Sequence, residues 1–201
     1  MRKFAVALAV LASLTSSAFA EEGPLMVRLR GVYVQTANKS DAVGALQKND
    51  IMVDSKLIPE VDFSYFFLPN LSAELILTAP QKHEVRAKGN VSLGSVTELP
   101  PCLTAQWHFL PGAEVNPYVG VGANMTLITG QDLGGLYLNK TSFGFVGQLG
   151  ADLKLGGNLY ANIDVKYVTM GFDVKAKADN SKVTTVTLDP WLVGMGLGYR
   201  F

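Results

Sequence analysis

Apolar and polar side chains alternate residue by residue along most of the chain, in stretches of roughly ten residues separated by clusters of glycine, proline and asparagine. The last stretch displays the pattern most plainly. Trp191, Val193, Met195, Leu197, Tyr199 and Phe201 fall on one face of a strand, and Gly194, Gly196, Gly198 and Arg200 on the other. One side is therefore greasy and the other suits a narrow polar interior. Alone, such a strand fits a soluble sandwich as well as a membrane wall.

Eight segments of this kind are expected: Leu25–Thr36, Leu57–Phe67, Leu71 to about His83, Val96–Phe109, Pro117–Leu127, Ser142–Leu155, Leu159 to about Val174, and Val183–Phe201. Val27, Leu29 and Tyr33 oppose Arg28, Arg30, Val32 and Val34, and Val61, Phe63, Tyr65 and Phe67 oppose Glu60, Asp62 and Ser64. Ala73, Leu75, Leu77 and Ala79 oppose Glu74, Ile76 and Thr78, and Leu103, Ala105 and Trp107 oppose Cys102, Thr104, Gln106 and His108. Val119, Val121, Ala123 and Met125 oppose Gly120, Gly122 and Asn124. The last segments set Phe143, Phe145 and Leu149 against Gln148, Asp152 and Lys154, and Ala161, Ile163, Val165 and Tyr167 against Asn162, Asp164 and Lys166. A lipid-facing arginine near the bilayer midplane costs about 2–4 kcal/mol, which fixes the register with the arginines inward.

A soluble sandwich should carry polar outer faces, whereas here the aromatic faces prevail. The expected fold is all-β, an eight-stranded antiparallel transmembrane β-barrel closed so that no edge meets hydrocarbon. Connections around Pro69, Gly112 and Gly157 are brief, and those around Ser40, Lys88, Gly134 and Asn180 longer. Short turns lie on the periplasmic side of such barrels and longer loops outside, which places the protein in a bacterial outer membrane with both termini in the periplasm.

Composition narrows the reading further. Basic and acidic side chains are balanced at 17 each, which offers nothing to nucleic acid. Arg28, Asp62, Glu74, Gln106, Gln148 and Asp164 interrupt every later apolar run, which excludes helical membrane spans. Met1–Ala20 reads as a secretory signal: Arg2 and Lys3 precede an apolar run from Phe4 to Leu14, and Ala18-Phe19-Ala20 supplies the small-x-small cleavage site. Residues 21–201 then form one barrel domain. Cys102 is the single cysteine, which excludes an intramolecular disulfide and multi-cysteine zinc sites. No cofactor and no metal is expected.

Four separated stretches resemble one family of small Gram-negative barrels. They are Glu74-Leu-Ile-Leu-Thr-Ala-Pro80 with His83 behind it, Leu99-Pro-Pro101 leading into Ala105-Gln-Trp107, Pro117-Tyr-Val-Gly-Val-Gly-Ala-Asn124, and Leu188-Asp-Pro-Trp191 running to Gly198-Tyr-Arg-Phe201. In order and spacing they are similar to the outer membrane protein W (OmpW) family, over essentially the whole mature chain. The resemblance implies a largely apolar lumen, passage of small hydrophobic molecules, and in some members use of the outer loops as a bacteriocin receptor, with phage as a further candidate. Tyr199 and Phe201 resemble the terminal signal read by the barrel-assembly machinery. The chain departs from the pattern in a short third outer loop, Ile128–Thr141, and in Ser142-Phe-Gly144, where the family places tryptophan before the glycine.

Because an eight-stranded barrel is just wide enough for side chains to fill it, the inward residues decide the function. Arg28, Arg30, Asp62, Glu74, Gln106, His108, Asp164 and Arg200 should meet in the periplasmic half as a polar plug. Val32, Val34, Ile76, Pro100, Leu188 and Leu192 should line an apolar outer half that binds ligand. Pro80, near the top of the third strand, and Pro100-Pro101, near the top of the fourth, cannot donate ladder hydrogen bonds, so the wall should weaken there as a lateral gate. The expected activity is passive uptake of small hydrophobic solutes from outside, with lateral exit into outer-membrane lipid. Two alternatives stay open: a narrow water-filled ion pore, and a structural or adhesive barrel whose loops act as receptor. His83 and His108 sit on different strands without triad or metal-ligand spacing, so catalysis is not expected.

Overall fold

The computed structural model describes residues 22–36, 39–40, 51–53, 55–87 and 91–201. The expected signal segment, the centre of the first outer connection and the tip at Lys88-Gly-Asn90 lie outside the described residues. In chain order the strands are β1 (Leu25–Gln35), β2 (Lys39–Ser40), β3 (Ile51–Val53), β4 (Lys56–Leu68), β5 (Leu71–Thr78), β6 (Gln81–Ala87), β7 (Val91–Leu99) and β8 (Cys102–His108). They continue with β9 (Val115–Asp132), β10 (Leu136–Leu138), β11 (Thr141–Gly156), β12 (Leu159–Val168), β13 (Gly171–Ala176), β14 (Lys182–Thr187) and β15 (Trp191–Arg200).

Eight of these close into an antiparallel ring in the order β1, β4, β5, β8, β9, β11, β12, β15, with β15 returning to β1. Within the ring the alternation holds: Met26, Arg28, Arg30, Val32 and Val34 of β1 are buried, while Leu29 and Tyr33 are exposed. The exposed face is apolar all round. Phe143 is 76% and Leu57 73% exposed, values that make sense only if acyl chains cover them. Glycines let adjacent strands crowd together: a methyl group at Gly122 would fall 2.0 Å from the carbonyl oxygen of Leu103 on neighbouring β8. Lys154, expected to point inward, is instead exposed at the foot of β11, where it meets Glu22.

The outer connections differ from expectation. Around Asn180 and on both sides of the Lys88 tip the chain continues as paired hairpins rather than loops, and the strands flanking Gly134, joined by a single Leu133–Leu136 bridge, pair with β7 and β13. β7, β6 and β3 extend the wall from the top of β9, and β10, β13, β14 and β2 form a second, four-stranded sheet. Asn180 and Gly134 adopt left-handed backbone (φ 60° and 59°) and so permit tight turns. Buried Val96, Leu133, Leu138, Phe172 and Val174 then give the extension its own apolar lining.

Four of the eight expected segments are broken rather than continuous, at Ala79-Pro80, Pro100-Pro101, Thr169-Met170 and Leu188–Pro190. Three breaks contain proline, which has no N–H to donate. The first break also resets the pleat. Even-numbered Ser72, Glu74 and Ile76 are buried in β5, but odd-numbered Gln81 and His83 are buried in β6.

Candidate functional site

The lower lumen is filled by a charge network that strand register assembles. Arg28 stands opposite Asp62, and Arg30 opposite Glu60, in the β1–β4 ladder. Arg28 donates from Nε and Nη2 to both carboxylate oxygens of Asp152 (3.0 and 2.7 Å), and from Nη1 to Asp62 Oδ1 (2.9 Å) and Ser64 Oγ (2.7 Å). Arg30 reaches Glu74 Oε1 (2.9 Å), Asp164 Oδ2 (3.0 Å) and Asn162 Oδ1 (3.1 Å), with Glu60 Oε1 2.8 Å from its Nε. Lys166 joins Glu60 to Asp164 at 2.8 and 2.7 Å. Gln106 donates to Glu74 Oε2 (2.8 Å) and to Gln148 (3.1 Å). Three cations thus face five carboxylates, every side chain being 4% exposed or less. Charges so deeply buried persist only when mutually paired.

Below this network His108 lies between the Phe66 and Tyr118 rings, with Ser72 Oγ 3.1 Å from its Nε2 and Asn116 Nδ2 3.3 Å from its Nδ1. Arg200 stands apart from the other expected plug residues. Its guanidinium covers the Phe66 ring at 4.1 Å and donates to the Gly23 carbonyl, closing a latch at the periplasmic rim with Glu22, Lys154 and Tyr160. Partial burial works against the Glu22 charge, but the Lys154 and Tyr160 hydrogen bonds and the nearby Lys154 and Arg200 charges hold its carboxyl below the usual range.

Above the network the lumen opens into two cavities. The upper one, about 140 Å³, lies within the extension and is walled by Val85, Leu133, Phe172, Val174 and Leu188 among others. The lower one, about 40 Å³, is bounded by Val34, Ile76, Pro100, Cys102 and Leu192, and its floor is Glu60 and Lys166. His83 and Glu98 line both. Of the expected ligand-binding residues, Val34, Ile76 and Leu192 line the lower cavity and Leu188 the upper; Val32 is fully buried beside Val34 and Ile58 and lines neither.

The wall beside the lower cavity is discontinuous. Pairing of β5 with β8 stops at Ile76 opposite Cys102 and resumes in β6 and β7 at Gln81 opposite Glu98. Pro80, Pro100 and Pro101 occupy that interval. On the other flank, β4 pairs with β5 only as far as Glu60 opposite Thr78, and Lys56 Nζ then bonds to the Lys82 carbonyl at 2.9 Å. The Thr78 hydroxyl, buried at this seam, has no hydrogen-bond partner among the described residues.

The breaks at Thr169-Met170 and Leu188–Pro190 are instead stitched. Val168 N bonds to Pro190 O (3.1 Å), Leu188 N to Met170 O (2.8 Å), and Met170 N to the Asp189 carboxylate (3.0 Å). On the far side Thr169 and Phe145 exchange two bonds of 2.9 and 2.6 Å.

Sequence reasoning omitted Glu60, Asp152 and Lys166 from the charged set, although alternation directs all three inward. It also left His83 and Glu98 without a binding role. Their signal was the proline break, which resets the pleat so that His83 faces the lumen.

Comparison with known proteins fits this geometry. The model of the OmpW family matches residues 21–201. Outer membrane protein W of Salmonella typhimurium is 33% identical, the alignment covering 100% of both chains. The crystal structure of the outer membrane protein OprG from Pseudomonas aeruginosa superposes with a TM-score of 0.75 at 25% identity, covering 90% of this chain and 98% of that one. The solution structure of Escherichia coli outer membrane protein W gives 0.66 at 28% identity, over 91% and 100%.

Proposed function

Since the chain belongs to the OmpW family of outer-membrane barrels, we propose that it is a passive uptake route for small hydrophobic molecules, closed at the periplasmic side and open sideways to lipid. The solute enters the upper cavity, where apolar walls leave water little to gain by staying. It descends to the lower cavity and meets the floor of Glu60 and Lys166. Passage through the charge network would require an apolar molecule to separate buried ion pairs, so the downward path is closed. The seam between residues 77–80 and 99–101 is the remaining way out, and the membrane beyond it is a better solvent for the cargo than water. No energy source is required.

The seam beside the lower cavity carries this reading. Two kinks border the lower cavity; the one at Met170 and Pro190 is cross-linked by backbone and Asp189 bonds, and the one at Thr78 and Pro100 has no such bonds among the described residues. Residues Met1–Ala20 would direct export, and Tyr199 and Phe201, whose rings meet at 4.9 Å, would present the terminal signal to the barrel-assembly machinery.

The test is to restore donors by replacing Pro100 and Pro101 with alanine and to measure uptake of a hydrophobic solute by cells producing the protein. Slower uptake, with folding unchanged by heat-modifiable electrophoretic migration, is expected. Unaltered uptake would remove the lateral route. Large ion conductance in planar bilayers that an apolar solute fails to block would favour a water-filled pore instead.

A further inference from the structure

We propose that His83 and Glu98 form a polar neck that favours, among small apolar solutes, those carrying a single hydroxyl group, such as a phenol or a short alkanol. The inference rests on the uptake reading above and specifies its cargo. An apolar cavity of about 150 Å³ accommodates one benzene-sized molecule, and the upper cavity, at about 140 Å³, is of that size. Its polar lining side chains are His83, Glu98 and Thr184. His83 Nε2 and Glu98 Oε1 stand 3.3 Å apart with side chains 9% and 10% exposed, and both residues also line the cavity beneath.

Their position follows from register. Gln81 is opposite Glu98 and His83 opposite Val96, so the two side chains are diagonal neighbours on the inner face, on the first rungs above the seam. A solute moving from the upper cavity to the seam passes beside them. A hydrocarbon that parts the pair strands an imidazole and a carboxylate in apolar surroundings. A hydroxyl group accepts from the imidazole N–H and donates to the carboxylate, bridging the pair rather than breaking it.

Below the neck the same hydroxyl finds a second partner. Thr78 Oγ1 is buried on the lower cavity without a hydrogen bond among the described residues. Neighbouring polar groups are otherwise engaged: Gln81 Nε2 bonds to the Ala79 carbonyl and Lys56 Nζ to the Lys82 carbonyl. A solute bearing a net charge is disfavoured, because the upper cavity offers its head no comparable partners before the neck.

The experiment uses the full-length protein in phospholipid nanodiscs, with 4-fluorophenol and 4-fluorotoluene as probes of nearly equal size. Binding is read from amide shifts of Val85 and Leu188 against free aqueous probe. Replacing the neck in a His83→Leu, Glu98→Leu double variant is expected to move the ratio of the two dissociation constants about tenfold toward the toluene, the worth of about one hydrogen bond. Glu98→Gln, which keeps an acceptor, should retain most of the preference.

Toluene binding with an unmoved ratio overturns the neck alone. Failure of both probes to shift Val85 or Leu188 overturns the uptake reading together with it. Should the double variant not fold, the wild type decides: a nuclear Overhauser contact between the phenol ring and the His83 ring or Thr78 methyl is expected, and its absence overturns the proposal.

Discussion

Replacing Arg28 by methionine tests whether the lower lumen is bound together by its charges. The guanidinium makes two bonds to Asp152 and one each to Asp62 and Ser64, at 2.7–3.0 Å, with no solvent contact. Methionine fills much of the volume but strips Asp152 of its guanidinium, leaving it only the Asn162 amide at 2.9 Å, while Asp62 keeps Arg30 at 2.8 Å. Removing one member of a buried ion pair costs about 3–5 kcal/mol, and Asp152 loses both of its guanidinium bonds here, so a loss of about 3 kcal/mol is expected. Adding Asp152→Leu removes the stranded carboxylate. The double variant should recover ~2 kcal/mol, within the usual range for contacting residues. Equilibrium unfolding in urea from lipid vesicles, followed by fluorescence of the lipid-facing Trp107 and Trp191, measures both quantities. A loss below ~1 kcal/mol, the size seen for solvated pairs, would refute the argument and turn the network into the lining of a water pore.

Three further outcomes are expected. Glu22→Gln should lower heat stability at neutral pH. The Glu22 carboxyl is held below its usual range, so its contribution is complete above the unfolded value of about 4.3 and disappears as pH falls through the lowered folded one; a gap between wild type and variant that is the same at every pH would contradict the latch. Gly122→Ala, whose methyl would lie 2.0 Å from Leu103 O and 2.6 Å from Thr104 Cα, should sharply reduce the folded fraction seen by heat-modifiable migration, and a wild-type yield would speak against the β8–β9 register. Asp189→Ala should speed hydrogen exchange at the Met170 amide at least about tenfold, as expected for loss of a charge-assisted hydrogen bond; unchanged exchange would mean the Asp189 stitch carries no weight.

The barrel wall was legible because the bilayer allows one solution: alternation directs Arg28, Asp62 and Glu74 inward and Leu29, Phe63 and Leu75 outward, and the register in the structure follows it. The partners across the lumen were not legible. Arg28 meets Asp152 at a separation of 124 residues, and Lys166 meets Glu60 at 106, and no local pattern encodes which inward side chains share a level. The extension was hidden for a different reason. Gly134 and Asn180 carry the turn chemistry of loops, and the pairing that makes strands of their flanks is recognised only once Val96, Leu133 and Phe172 are seen to share a core. His83 was the hardest to place. Counting by twos from Leu77 points it at lipid, and the break at Ala79-Pro80 returns it to the lumen.

That change of step gives the molecule an evolutionary joint. β5 is aligned by β4 and β8 and β6 by β7 and β3, and the two-residue bend between them sets the phase of one segment against the other. Losing or gaining one residue in the bend would leave the buried ion pairs untouched, yet would exchange the faces of the segment beyond it, sending Lys82 and Glu84 inward in place of His83. An indel at this single site would thus redraw the lining of the upper cavity without disturbing the charge network beneath.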